Sequence, residues 1–157
     1  MMRWMYPPEI VYTTYIGTTP EELWRALTDG TITPRYWFGR RIESDWRVGG
    51  PLAFFDGAGT EPTDQGEILE CDPPRRLSYS WHVEFDAEFQ REGDSRVVFV
   101  IEPFGTCVRL TLTHDRLGAS TRLHDALRRG WTAILSSLKT LLETGEPLPV
   151  PPEACQG

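Results

Sequence analysis

The chain has 157 residues, enough for one domain around a single core. Hydrophobic residues make up 39% and charged ones 25%, ordinary values for a globular protein. A formal net charge of −7 and a pI of about 5.0 weigh against nucleic acid or an anionic membrane as partner, and no run reaches the roughly 18 apolar residues a membrane span needs.

Residues 9–16, EIVYTTYI, are rich in β-branched and aromatic side chains and read as the first strand. Both faces carry bulky groups, so alternation does not say which one looks inward. Thr19-Pro20-Glu21-Glu22 is a capping box, with proline at the first helical position. The helix it opens carries Leu23, Trp24 and Leu27 on one face and stops at Asp29-Gly30. A second short helix is expected from Thr33-Pro34, carrying Tyr36, Trp37 and Phe38 up to Gly39.

From Arg41 the pattern changes to short strands, at residues 42–46, 52–55, 65–71, 77–84, 96–102 and 107–114. Glycine, proline and aspartate punctuate them, and connections this short join antiparallel neighbours only. Residues 120–145 then place Leu123, Leu127, Trp131, Ile134, Leu135, Leu138, Leu141 and Leu142 on one helical stripe. Ser120 or Thr121 can cap the start, and Gly145 suits a left-handed stop. The expected domain is 9–145, followed by a proline-rich, disordered tail at 146–157.

One strand, two short helices, about six antiparallel strands and one long helix make an α+β protein. The sheet must curl round the helix if both apolar surfaces are to be buried, and a gap left between them is the functional expectation. Leu77, Tyr79, Trp81 and Val83 share the inner face of their strand, opposite Ser78, Ser80, His82 and Glu84. Val108, Leu110, Leu112 and His114 share a face of the last one. Val97, Phe99 and Ile101 look inward between them, leaving Val98 and Val100 outside. Gly130 inside the long helix points to a close approach of backbone.

No phosphate loop, dinucleotide glycine motif, G-x-S-x-G or H-E-x-x-H is present. His114, followed by Asp115, is the one candidate acid or base, with Tyr79 as its partner. His82 and Glu84 look outward and do not make a metal site, and His124 reads as solvated. The 56–64 stretch is read as a loop whose three acids, Asp56, Glu61 and Asp64, lack calcium-loop spacing. Cys71, Cys107 and Cys155 form neither a disulfide framework nor a C-x-x-C site. With no apolar leader before Pro7-Pro8, free thiols in a cytoplasmic protein are expected. No cofactor and no metal are expected.

The blocks VYTTYIGTTPEELWRALTD (11–29), SDWRVGG (44–50), GEILECDPPRRLSYSW (66–81), VRLTLTHD (108–115) and GWTAILSSLKTLLE (130–143) resemble bacterial SRPBCC proteins. The branch is the stress-related one named for homology to the activator of the heat-shock-protein-90 ATPase. The resemblance spans residues 10–143 and implies a START-like helix-grip fold with a hydrophobic cavity between sheet and C-terminal helix. It carries no catalytic residue across, and chaperone activation is not inherited with the name.

The function expected is binding of a small hydrophobic molecule, aromatic or lipid-like, in a monomer or homodimer. Tyr36, Trp37, Phe38, Phe54, Tyr79, Trp81, Phe99, Leu110, Leu112, Trp131, Leu135 and Leu138 would wall the cavity, with His114 near an opening. The alternatives are a cyclase or hydrolase using His114, and a co-chaperone-like interaction module with an apolar outer patch at Val98 and Val100.

Overall fold

The computed structural model describes residues 9–84, 86–91, 93–118 and 120–149. The end of the tail, residues 150–157 with Cys155, lies outside them. The elements run β1 (Ile10–Ile16), α1 (Pro20–Thr28), α2 (Thr33–Tyr36), β2 (Arg40–Ser44), β3 (Pro51–Asp56), β4 (Pro62–Asp72) and β5 (Arg76–Val83). They continue with α3 (Ala87–Gln90), β6 (Ser95–Phe104), β7 (Cys107–Asp115) and α4 (Thr121–Thr144).

The seven strands form one antiparallel sheet in the order β1-β7-β6-β5-β4-β3-β2. β1 and β2 are consecutive strands yet lie at opposite edges, so α1 and α2 carry the chain from one edge to the other. Hairpins account for most of the remaining order. β-bulges bend β3 at Phe54/Phe55 and β4 at Ile68/Glu70. Gly66 marks a close approach of two strands: a Cβ there would stand 1.8 Å from the Ser80 carbonyl oxygen, so no other residue fits without moving backbone. α4, about 36 Å long at 1.5 Å per residue, lies in the resulting curve. Leu135, Leu138 and Leu141 of α4 share one core with Ile16, Leu23, Leu27, Val108 and Leu110.

Caps fix the helices where the sequence puts them. Thr19 Oγ1 accepts from the Glu22 amide at 3.1 Å, and Ser120 Oγ from the Leu123 amide at 3.1 Å. Gly145 ends α4 at φ 88°. Lys139 Nζ donates to the Tyr15 carbonyl and Glu143 accepts from the Gly17 amide at 2.7 Å, tying the end of α4 to β1.

Several details differ from the expectations or add to them. α2 is one turn only, because Trp37 leaves helical geometry and Phe38 takes φ 52°. β1 turns Ile10 and Ile16 inward. β2 begins two residues earlier than expected. α3 was unforeseen; its cap is Asp86, whose carboxylate accepts from the Glu88 and Phe89 amides. Val98 is 6% exposed, so it does not help form an outer apolar patch; among the described residues the large exposed apolar ones are Val11, Tyr15, Val48 and Phe104. Asp64 is no loop residue: it lies inside β4 and is completely buried. Beyond α4, the Leu148 amide donates to Ser137 Oγ at 3.2 Å, so the start of the tail turns back onto the helix.

Candidate functional site

Between sheet and α4 the side chains are aromatic. Trp37 lies 5.0 Å from Phe54 and 5.4 Å from Trp131, between ring centroids. Trp81 stacks on His114 at 5.3 Å and 8°, and on Phe54 at 5.5 Å and 20°. Phe99 meets Trp131 edge-on at 5.9 Å, and Tyr79 bridges Phe54 and Phe99 at 6.2 Å each. Offset and edge-to-face pairs of this kind add about 0.5–1.5 kcal/mol each beyond the area they bury.

The expected wall residues therefore converge. Tyr36, Trp37, Phe54, Tyr79, Trp81, Phe99, His114 and Trp131 form one connected set of rings. Leu110, Leu112, Leu135 and Leu138 belong to the same buried cluster. Phe38 does not reach the rings and packs half-buried against the core. The rings touch one another, and the void adjoining them, between Trp81, Phe89, Ser95, His114 and Leu123, measures about 10 Å³. That is about the room one water needs. An open groove of about 730 Å³ lies elsewhere, along β2 and β3 by Thr31, Arg41, Trp46 and Phe55, and none of the thirteen expected residues lines it.

His114 is held from both sides. Trp131 Nε1–H can only donate, and it reaches His114 Nδ1 at 3.0 Å; Nε2 therefore carries the proton and meets Ser95 Oγ at 2.7 Å. Burial pushes its pKa down to about 3, against a smaller upward pull from Asp115. The ring is neutral at neutral pH and its lone pair is occupied, so the geometry gives it a packing role and leaves no free base. Tyr36 donates to the Ala26 carbonyl at 2.8 Å, and burial raises its pKa.

Other polar atoms inside are not satisfied. Tyr79 OH, Trp81 Nε1 and Asp64 Oδ1 are buried without a hydrogen-bond partner, as is Ser78 Oγ on the opposite face of β5. Asp64 Oδ2 accepts from Arg40 Nη1 and Thr63 Oγ1, each at 2.9 Å. Burial raises the Asp64 pKa, opposed first by the Arg40 charge and then by the nearby Trp81 N–H. That N–H lies near enough to act on the carboxylate without meeting it in hydrogen-bond geometry. Sequence reasoning missed Asp64 because acids and turn residues precede it. The available signal was parity, since Asp64, Gly66 and Ile68 alternate on one face.

The outward-facing groups serve the surface. His82 sits between Asp94 at 3.0 Å and Glu84 at 3.1 Å, and His124 Nδ1 lies 3.3 Å from Arg128. Among the described residues no group of three or more His, Cys, Asp or Glu could hold a metal, and no helix is long and apolar enough to cross a membrane. Cys71 and Cys107 are free thiols.

No curated protein matches the chain. Among solved structures, CalU16 from Micromonospora echinospora is 27% identical, with 87% of this chain and 77% of that one covered and a TM-score of 0.68. A protein from Mesorhizobium loti is 26% identical over 85% of this chain and 96% of its own, at a TM-score of 0.70. An HSP90 activator from Plasmodium falciparum is 23% identical, covered over 85% and 95%, with a TM-score of 0.68; at that identity the likeness is one of fold. Residues 17–143 match the model of the family described as Activator of Hsp90 ATPase homolog 1-like protein, and the chain belongs to that family, a branch of the START-like SRPBCC superfamily.

Proposed function

We propose that the protein binds a small hydrophobic molecule, aromatic or lipid-like, between the sheet and α4. The observation that carries this reading is the Tyr79 hydroxyl, buried among aromatic rings with no partner. An interior built only for stability would use phenylalanine there, because an unsatisfied buried hydroxyl costs about 1–3 kcal/mol. Apolar walls with a few unpaired polar groups are what a small-molecule site requires. A guest must part the rings, and the end near His114 is the place to do so. There Phe89 of α3 covers the void, held from outside by Arg122, which pairs with Asp86 at 3.0 Å and Glu88 at 2.8 Å. Exposed pairs of this sort are worth about 0–1 kcal/mol and open readily.

A panel of apolar ligands, followed by tryptophan fluorescence and melting temperature, tests the reading. A ligand that quenches fluorescence and raises the melting temperature supports it; a panel that moves neither signal defeats it. The cyclase alternative loses its base with His114. A second reading, a protein contact, draws on Tyr15 and Phe104, whose exposed rings meet at 4.8 Å. Equal binding of purified Hsp90 by the parent and by a Tyr15→Ser, Phe104→Ser variant would remove it.

A further inference from the structure

Asp64 stands on the inner face of the sheet. Its register neighbours are Phe54 on β3 and Val83 on β5, the first wholly buried among the rings. A buried carboxylate that served only to anchor Arg40 needs one oxygen, and Oδ2 fills that role at 2.9 Å. The second oxygen, Oδ1, remains unpartnered, and so do Trp81 Nε1 and Tyr79 OH on the adjacent strand. Trp81 and Tyr79 share β5's inner face, two residues apart. Across the strands Asp64 pairs with Val83, the inner-face neighbour of Trp81, and Tyr79 follows next on that face, opposite Ile68. The set comprises one acceptor, one N–H donor and one hydroxyl that can do either.

We propose that Asp64, with Trp81 and Tyr79, is the polar anchor of the binding site and selects a neutral aromatic molecule bearing a hydroxyl group. This rests on the binding reading above and narrows its ligand. The guest's O–H donates to Asp64 Oδ1, and its oxygen accepts from the Trp81 N–H or the Tyr79 O–H. One hydroxyl thus answers two orphaned groups on the protein. A molecule without it leaves them unpaired, and sites built to hydrogen-bond a hydroxyl reject analogues lacking one. A carboxylate of the same shape is rejected more strongly, since it would bring a second negative charge against a buried acid.

The test is calorimetric titration of the full chain with 2-naphthol, naphthalene and 2-naphthoate, repeated with Asp64→Asn and Tyr79→Phe. In the parent, naphthol should bind about tenfold tighter than naphthalene, and naphthoate should not bind. Asp64→Asn should bring naphthol down to the naphthalene affinity and leave naphthalene unchanged. Tyr79→Phe removes an atom with no internal partner, so the fold is kept; it should weaken naphthol by about threefold while sparing naphthalene. Equal binding of naphthol and naphthalene by the parent overturns the anchor but leaves the binding reading standing. Naphthoate binding as well as naphthol, or a naphthol preference that survives in a folded Asp64→Asn protein, also overturns it. Should Asp64→Asn not fold, the parent comparison and Tyr79→Phe decide alone. Failure of all three compounds to bind overturns both proposals.

Discussion

Along α4 the interior changes character. At its C-terminal half Leu135, Leu138 and Leu141 pack with Ile16, Leu23 and Leu27, and Lys139 and Glu143 close the joint to β1 by meeting backbone groups. At its N-terminal half Trp131 meets Trp37, Trp81, Phe99 and His114, and unpartnered polar atoms lie on the facing strands. Aliphatic packing with every polar group answered is the composition of a region that holds the fold together. Flat rings with unanswered donors and acceptors suit a region whose contacts can be exchanged for those of a guest. On the proposed reading, the difference separates the part of the core that fastens α4 to the sheet from the part that would open to a guest.

Breaking the aliphatic end should have the largest effect. Leu138 is 0% exposed, so Leu138→Ala should cost about 2–5 kcal/mol in chemical denaturation. A small loss there would mean that the fastening lies elsewhere.

The aromatic end should show itself through pH. His114 has a folded pKa of about 3 against an ordinary value of 6.5, so the unfolded chain binds the extra proton between those values. Its contribution to stability is therefore full above pH 6.5 and is lost as pH falls toward 3, with a slope of at most about 1.4 kcal/mol per pH unit. Asp64 acts in the opposite sense: its raised pKa gives a contribution present below 3.8 and lost as pH rises through the folded value. Subtracting the stability profile of His114→Asn from that of the parent isolates the histidine. Parallel profiles would show that the ring is not buried neutral.

A smaller effect sharpens the contrast. Tyr79→Phe should leave the unliganded protein as stable or more stable, by up to about 1 kcal/mol, because it deletes an unanswered hydroxyl. A marked loss of stability would reveal a partner for that hydroxyl and weaken its place in the site. Smallest of all, Glu143→Gln should cost under about 1 kcal/mol, since it loosens an exposed joint at the fastened end.

Much of this was legible in the sequence. α4 announces itself by eight apolar residues on one stripe between Ser120 and Gly145, and α1 by the Thr19 box, because both signals are local. The inner faces of β5 and β7 follow from strict alternation. What alternation could not reveal was how the rings use their space, since contact between Trp81 and His114 depends on the curvature of the sheet and the height of α4. The role of His114 was hidden for the same reason: its partners, Trp131 and Ser95, are 17 and 19 residues away. Asp64 was obscured because a buried acid near a glycine-rich turn reads locally as solvated.

The most direct measurement is a titration of the 15N-labelled protein with 2-naphthol, following the indole N–H resonances. Binding between sheet and helix should shift Trp81 and Trp131 together while leaving half-buried Trp24 and Trp46 in place. Shifts confined to Trp46, which lines the open groove on β2 and β3, or no shift at any indole, would contradict an interior site.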